Sequence, residues 1–144
     1  MSIDPESLRT SEVFSALSTE QLRKLVEAAE VSERAPGETL TEEGGIGYRF
    51  YLLLEGSAVV ERAGEAVATL GPGDFVGEIA LLGGGRSTAT VRCQEPTRCL
   101  TIRREDFWAV LEAEPAIALR ILEVVARRLE RELRPDSQAN LPGG

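Results

Sequence analysis

The chain has 144 residues, 42% of them hydrophobic and 28% charged, which suits one soluble domain able to bury a single core. Its 16 Lys+Arg stand against 24 Asp+Glu, a net charge of −8, and this argues against broad nucleic-acid binding, which needs a basic footprint. It contains no histidine, so His-dependent triads, Cys–His pairs and the usual His-rich zinc or iron sites are excluded.

In chain order, the first ten residues lack the basic and apolar regions of a signal peptide. Residues 11–29 read as helical and broken in the middle. Ser18 and Gln21 have capping-box spacing, and Leu22, Leu25, Val26 and Ala29 recur at helical intervals. Pro36-Gly37 punctuates the chain, and short strands separated by glycines follow up to residue 103. Tyr48–Leu54 is rich in aromatic and aliphatic residues, Ser57–Arg62 resumes after Gly56, and Ala63-Gly64-Glu65 reads as a hairpin tip before Ala66–Leu70. Gly71-Pro72-Gly73-Asp74 is a further turn. Thr88–Gln94 alternates as a half-buried strand, and Arg98–Arg103 is its partner across Pro96. Many short strands with regular turns predict an antiparallel sandwich or roll.

After Arg104 the period becomes helical again. Glu105–Ala113 is a short amphipathic helix, and Pro115 suits the first turn of a longer one. Ala118, Leu122, Val125, Leu129 and Glu132 follow a 4-3-4-3 spacing, a seam for packing on the roll or for a homodimer through residues 115–134. Residues 135–144 read as a disordered tail. Trp108 is expected to pack a helix on the roll. The arginines of 127–134 are expected on a solvated helix face, because Glu130 and Glu132 interleave. Cys93 and Cys99 read as small buried hydrophobes and not as a disulfide or metal pair. No stretch is long and apolar enough to span a membrane, and reduced thiols in a cytoplasm are the default.

The residues that carry chemistry lie in GDFVGEIALLGGGRSTATV, residues 73–91. Ile79–Leu82 is one helical turn preceded by Gly77, which lets a ligand approach the backbone closely. Such a turn presents unpaired N–H groups to a phosphate, and Arg86 offers a guanidinium. Glu78 would be repelled by that phosphate and should accept from hydroxyls a few ångströms away, as a ribose supplies. A ribose-phosphate ligand follows from these residue types. Ser87 and Thr88 serve equally as the start of a strand or as hydroxyl contacts to the ligand.

GDFVGEIALL followed by R-S-T-A-T-V resembles the phosphate-binding cassette of cyclic-nucleotide-binding domains, the family of catabolite activator proteins and of regulatory subunits of cyclic-AMP-dependent kinases. Phe14–Leu25, Pro36-Gly37-Glu38, Glu43-Gly44, Tyr51–Gly56, Arg104–Phe107 and ARRLERELR extend the resemblance over nearly the whole chain. It implies a mainly β fold: an antiparallel β-roll (a double-stranded β-helix jelly roll, residues 30–103) between N-terminal helices (11–29) and two C-terminal helices (104–134), in a single domain over 1–134. It implies a ligand-binding site of Gly77, Glu78, Ile79, Ala80, Arg86, Ser87 and Thr88. Glu78 would take the ribose 2′-hydroxyl, and the N–H groups of Ile79 and Ala80 the cyclic phosphate, with an arginine as counter-charge. The ligand would be cyclic AMP or cyclic GMP, with a mild lean to cyclic AMP, and no metal or resident cofactor is expected.

The family's usual pattern is Arg-x-Ala-x-Val, whereas this chain reads Arg86-Ser87-Thr88-Ala89-Thr90-Val91, placing Ser87 where the phosphate arginine usually stands. A one-residue slip along an extended chain reverses side-chain direction. Arg86 is expected to reach the phosphate from its shifted position because Gly83-Gly84-Gly85 gives the backbone freedom. The expected function is a regulatory sensor, not an enzyme, that binds no DNA directly and is either a stand-alone module or one that acts on an effector domain outside the chain. The alternative is a degenerate domain serving interaction or dimerisation without nucleotide.

Overall fold

A computed structural model describes residues 3–133. The expected tail, residues 135–144, lies outside the described residues. A 3-10 segment over Pro5–Thr10 leads into α1 (Thr19–Glu27), whose start carries the reciprocal Ser18–Gln21 capping box. Eight strands follow: β1 (Glu30–Arg34), β2 (Thr39–Thr41), β3 (Arg49–Glu55), β4 (Ala58–Arg62), β5 (Glu65–Leu70), β6 (Phe75–Val76), β7 (Thr90–Cys93) and β8 (Thr97–Arg103). A one-turn helix, α2 (Glu78–Leu82), separates β6 from β7, and α3 (Arg104–Ala113) and α4 (Pro115–Leu133) close the chain.

The strands form two four-stranded antiparallel sheets, ordered β1-β8-β3-β6 and β2-β7-β4-β5. This is the mainly β roll with N- and C-terminal helices that the sequence implied. The hairpin between β4 and β5 turns on Ala63 and Gly64, both at positive φ, which matches the strand twist of a two-residue loop.

The first sheet is covered on both faces, which explains the unbroken apolar run of β3. Phe50 and Leu52 point to a helical layer, where they meet Phe14, Leu22, Phe107, Ile117 and Ile121. Phe50 stacks on Phe107 at 4.9 Å and lies 5.5 Å from Phe75. Tyr51 and Leu53 point the other way, into a second cluster with Leu40, Ala58, Val91, Cys93 and Cys99. Both cysteines are free and buried there, and burial pushes the Cys99 thiol up to about 12.

Helix α4 does not present its expected seam as one face. Ala118 and Val125 pack against the core, as do the buried Ile117 and Ile121, while Leu119, Leu122, Leu129 and Leu133 are exposed. The helix therefore carries two apolar stripes, one spent on the body and one left outward.

Candidate functional site

The segment from β6 to β7 is built around a forced turn. Gly77 adopts φ +97°, and a Cβ there would stand 2.3 Å from the Arg49 carbonyl oxygen, so only glycine fits without displacing β3. The chain then enters α2 directly with Glu78. Although charged, Glu78 is only 4% exposed, and among the described residues its Oε1 has no hydrogen-bond partner. Burial raises its pKa above the ordinary carboxylate value; the Arg128 guanidinium and the backbone N–H groups of Glu78 and Ile79 pull in the opposite direction.

After α2 the chain passes Gly83–Gly85 and runs beside the β2–β3 loop. Gly47 N–H donates to the Gly85 carbonyl at 2.9 Å, Ser87 N–H to the Gly45 carbonyl at 2.8 Å, and Gly44 N–H to the Ser87 carbonyl at 2.9 Å. These bonds fix which way successive side chains point. Ser87 faces inward. Arg86 faces the other side, where its guanidinium donates to the Gly44 carbonyl at 2.9 Å.

A cavity of about 690 Å³ opens over this segment, within the range of small-molecule sites. Its floor is Gly77, Glu78, Ile79, Ala80, Ser87 and Thr88, six of the seven residues singled out from the sequence. Arg86 is absent from the lining. Three backbone bonds hold its register in this structure, with its guanidinium on the Gly44 carbonyl. One wall is apolar, from Val60 of β4 and Val67 and Leu70 of β5. The other is α4, with Val125, Arg128, Leu129 and Glu132.

Sequence reasoning placed Arg128 on a solvated helix face. It instead projects into the cavity, 4.0 Å from Glu78 Oε1 and with its guanidinium carbon 4.2 Å from the Phe75 ring centroid. Nη1 donates to the Phe75 carbonyl at 3.3 Å. Arg62, also on the lining, donates to Glu132 at 3.4 Å. No local pattern around residue 128 signals these contacts; they arise when α4 crosses the cassette.

The family profile for the cyclic nucleotide-binding domain matches residues 32–114, more than half of the chain. The chain belongs to the cyclic nucleotide-binding domain family. The chain is 32% identical over 105 residues to a cGMP-dependent protein kinase from Eimeria tenella, covering 73% of the chain and 10% of that protein. It is 32% identical over 99 residues to a cAMP-dependent protein kinase regulatory subunit from Hypocrea atroviridis, covering 69% of the chain and 21% of that protein. The crystal structure of Thermus thermophilus catabolite activator protein superposes with a TM-score of 0.80 at 29% identity, covering 90% of this chain and 63% of that one. The domain thus spans between a tenth and two thirds of the length of these proteins.

Within this cyclic nucleotide-binding domain, Trp108 has a more specific role than helix–roll packing. Its indole N–H donates to the Leu81 carbonyl at 3.0 Å, tying α3 to the last turn of α2 while the ring stays 41% exposed. Among the described residues no cluster of His, Cys, Asp and Glu could hold a metal ion, and no helix is long and apolar enough to cross a membrane.

Proposed function

We propose that the domain is a sensor that binds a cyclic nucleotide, cyclic AMP in preference to cyclic GMP, in the cavity over α2. The observation that carries this reading is Glu78: a buried carboxylate, one oxygen without a hydrogen-bond partner among the described residues, on a cavity shared with Gly77, Ile79, Ala80, Ser87 and Thr88. Leaving such an atom unpaired is costly, and a ribose hydroxyl would satisfy it. Glu78 takes the 2′-hydroxyl, the N–H groups of Ile79 and Ala80 take phosphate oxygens, and Gly77 keeps the approach open. Ser87 and Thr88 offer hydroxyls beside the phosphate and the base. The base lies between the Val60–Val67–Leu70 wall and α4.

The domain performs no reaction of its own. Its output is a change in the placement of α3 and α4, and the nucleotide drives that change only by binding one placement better than the other. It works in the cytoplasm on an effector outside this sequence. Titration calorimetry with cyclic AMP and cyclic GMP tests the reading: saturable heat from either supports it, and no heat at millimolar nucleotide sinks it. Tighter binding of cyclic GMP overturns the stated preference alone.

A second reading is favoured by the outward stripe of α4. Leu119, Leu122, Ala126, Leu129 and Leu133 recur at 3-4-3-4 spacing and are all exposed, the pattern of a two-helix seam. We infer a homodimer through α4, which a degenerate domain could form without any nucleotide. Light scattering on the eluting protein distinguishes dimer from monomer, and Leu119→Glu with Leu122→Glu should shift a dimer to monomer.

A further inference from the structure

We propose that Arg128 of α4, and not Arg86 of the cassette, supplies the positive charge that holds the anionic phosphate of the nucleotide. This rests on the reading of the domain as a nucleotide sensor and adds to it a specific residue.

The first observation concerns Arg86. Its neighbours are clamped on both sides by the Gly85, Ser87 and Gly44 backbone bonds at 2.8–2.9 Å, and residue 86 itself bridges to Ile46. Ser87, Thr88 and Ala89 line the cavity, whereas Arg86 does not. Its guanidinium is engaged by the Gly44 carbonyl. To enter the cavity the side chain would have to release the Gly44 carbonyl and turn across the segment.

The second observation concerns Arg128. It lines the cavity beside Glu78, its stem braced by the Phe75 ring and one N–H committed to the Phe75 carbonyl. At 4.0 Å its separation from Glu78 Oε1 is too long for a hydrogen bond, so that carboxylate does not tie up its donors. Its guanidinium is permanently charged and carries five N–H donors, one of them committed to the Phe75 carbonyl. Two further arginines line the cavity, Arg131 and Arg62, the latter held by Glu132 at the far end of α4. Arg128 is the guanidinium next to the cassette, and it belongs to the helix whose position is the proposed output. The ligand's anion would then hold α4 directly.

Calorimetry with cyclic AMP and cyclic GMP on the full chain tests this, using Arg86→Ala, Arg128→Lys and Arg128→Gln, with thermal melts to establish that each variant is folded. The expected result is a loss under threefold for Arg86→Ala, more than tenfold for Arg128→Gln, and a retained affinity within about fivefold for Arg128→Lys. The proposal is overturned if Arg86→Ala loses as much as Arg128→Gln. Arg128→Lys falling as far as Arg128→Gln also overturns it, since shape and not charge would then be in use. Wild-type protein that binds neither nucleotide refutes the sensor reading itself, a different outcome from any ordering of the variants.

Discussion

Arg128 lies 4.0 Å from the Glu78 carboxylate, although one residue belongs to the last helix and the other to the cassette. The pair joins the floor of the cavity to its α4 wall. Because the contact is longer than a hydrogen bond, it compensates the buried charge only in part, and the desolvation of Glu78 outweighs it.

Glu78→Gln is therefore expected to stabilise the free domain at neutral pH while weakening nucleotide binding more than tenfold. The folded-state pKa of Glu78 is raised, so the folded protein holds the proton more tightly than the unfolded chain does. Its unfavourable contribution appears as pH rises through that raised pKa and is absent below the unfolded value near 4.5. The melting temperature of Glu78→Gln should exceed that of the wild type by about 3 °C at pH 7–8, for a difference of about 1 kcal/mol. The gap should close as pH falls towards 4.5. A gap that stays constant across this range, or reverses at pH 8, counts against the assignment.

Gly77→Ala should destabilise the fold by about 2 kcal/mol or more, because it combines positive φ with a Cβ forced onto the Arg49 carbonyl. Urea unfolding measures this directly. The effect should exceed that of Gly64→Ala, where φ is also positive but the added Cβ meets nothing within 4 Å. Equal losses at the two positions would show that strain alone, and not the approach to β3, sets the requirement for glycine.

Cys93 and Cys99 should be unreactive towards a thiol reagent in the folded protein and both reactive in denaturant. Both are buried, and the Cys99 thiol sits at about 12, far from the thiolate form that reacts. Rapid modification of the native domain would mean that the sheet-to-sheet cluster opens readily.

Much of this architecture was legible from local pattern because the elements obey local rules. Ser18 and Gln21 cap α1 reciprocally, Ala63-Gly64 turns the β4–β5 hairpin, and Gly77 introduces α2. The apolar run of β3 was likewise visible, although its reason, burial on both faces, is a property of the assembled layers. What sequence reasoning missed depends on packing between distant segments. The placement of Arg86 against the Gly44 carbonyl comes from the pairing of residues 85–87 with the β2–β3 loop, which no local pattern around residue 86 carries. Arg128 looked like part of a charged helix surface, since Glu130 and Glu132 interleave with the arginines of 127–134. Only the crossing of α4 over the cassette turns it inward. The expected α4 seam divides for the same reason: Ala118 and Val125 pack on the body beside Ile117 and Ile121, while Leu122 and Leu129 are exposed.

The indole–carbonyl bond between Trp108 and Leu81 makes the domain self-reporting. Trp108 is the only tryptophan in the chain, so every photon of indole emission originates at the seam between α2 and α3. Its ring is partly wet and its N–H is committed to the cassette, two conditions to which emission wavelength responds. Nucleotide that shifts α2 relative to α3 should displace the emission maximum with no label attached. Trp108→Phe should abolish the signal, and nucleotide titration by calorimetry would show whether losing the bond also loosens the ligand. Movement of the cassette would in this way be read by a fluorimeter.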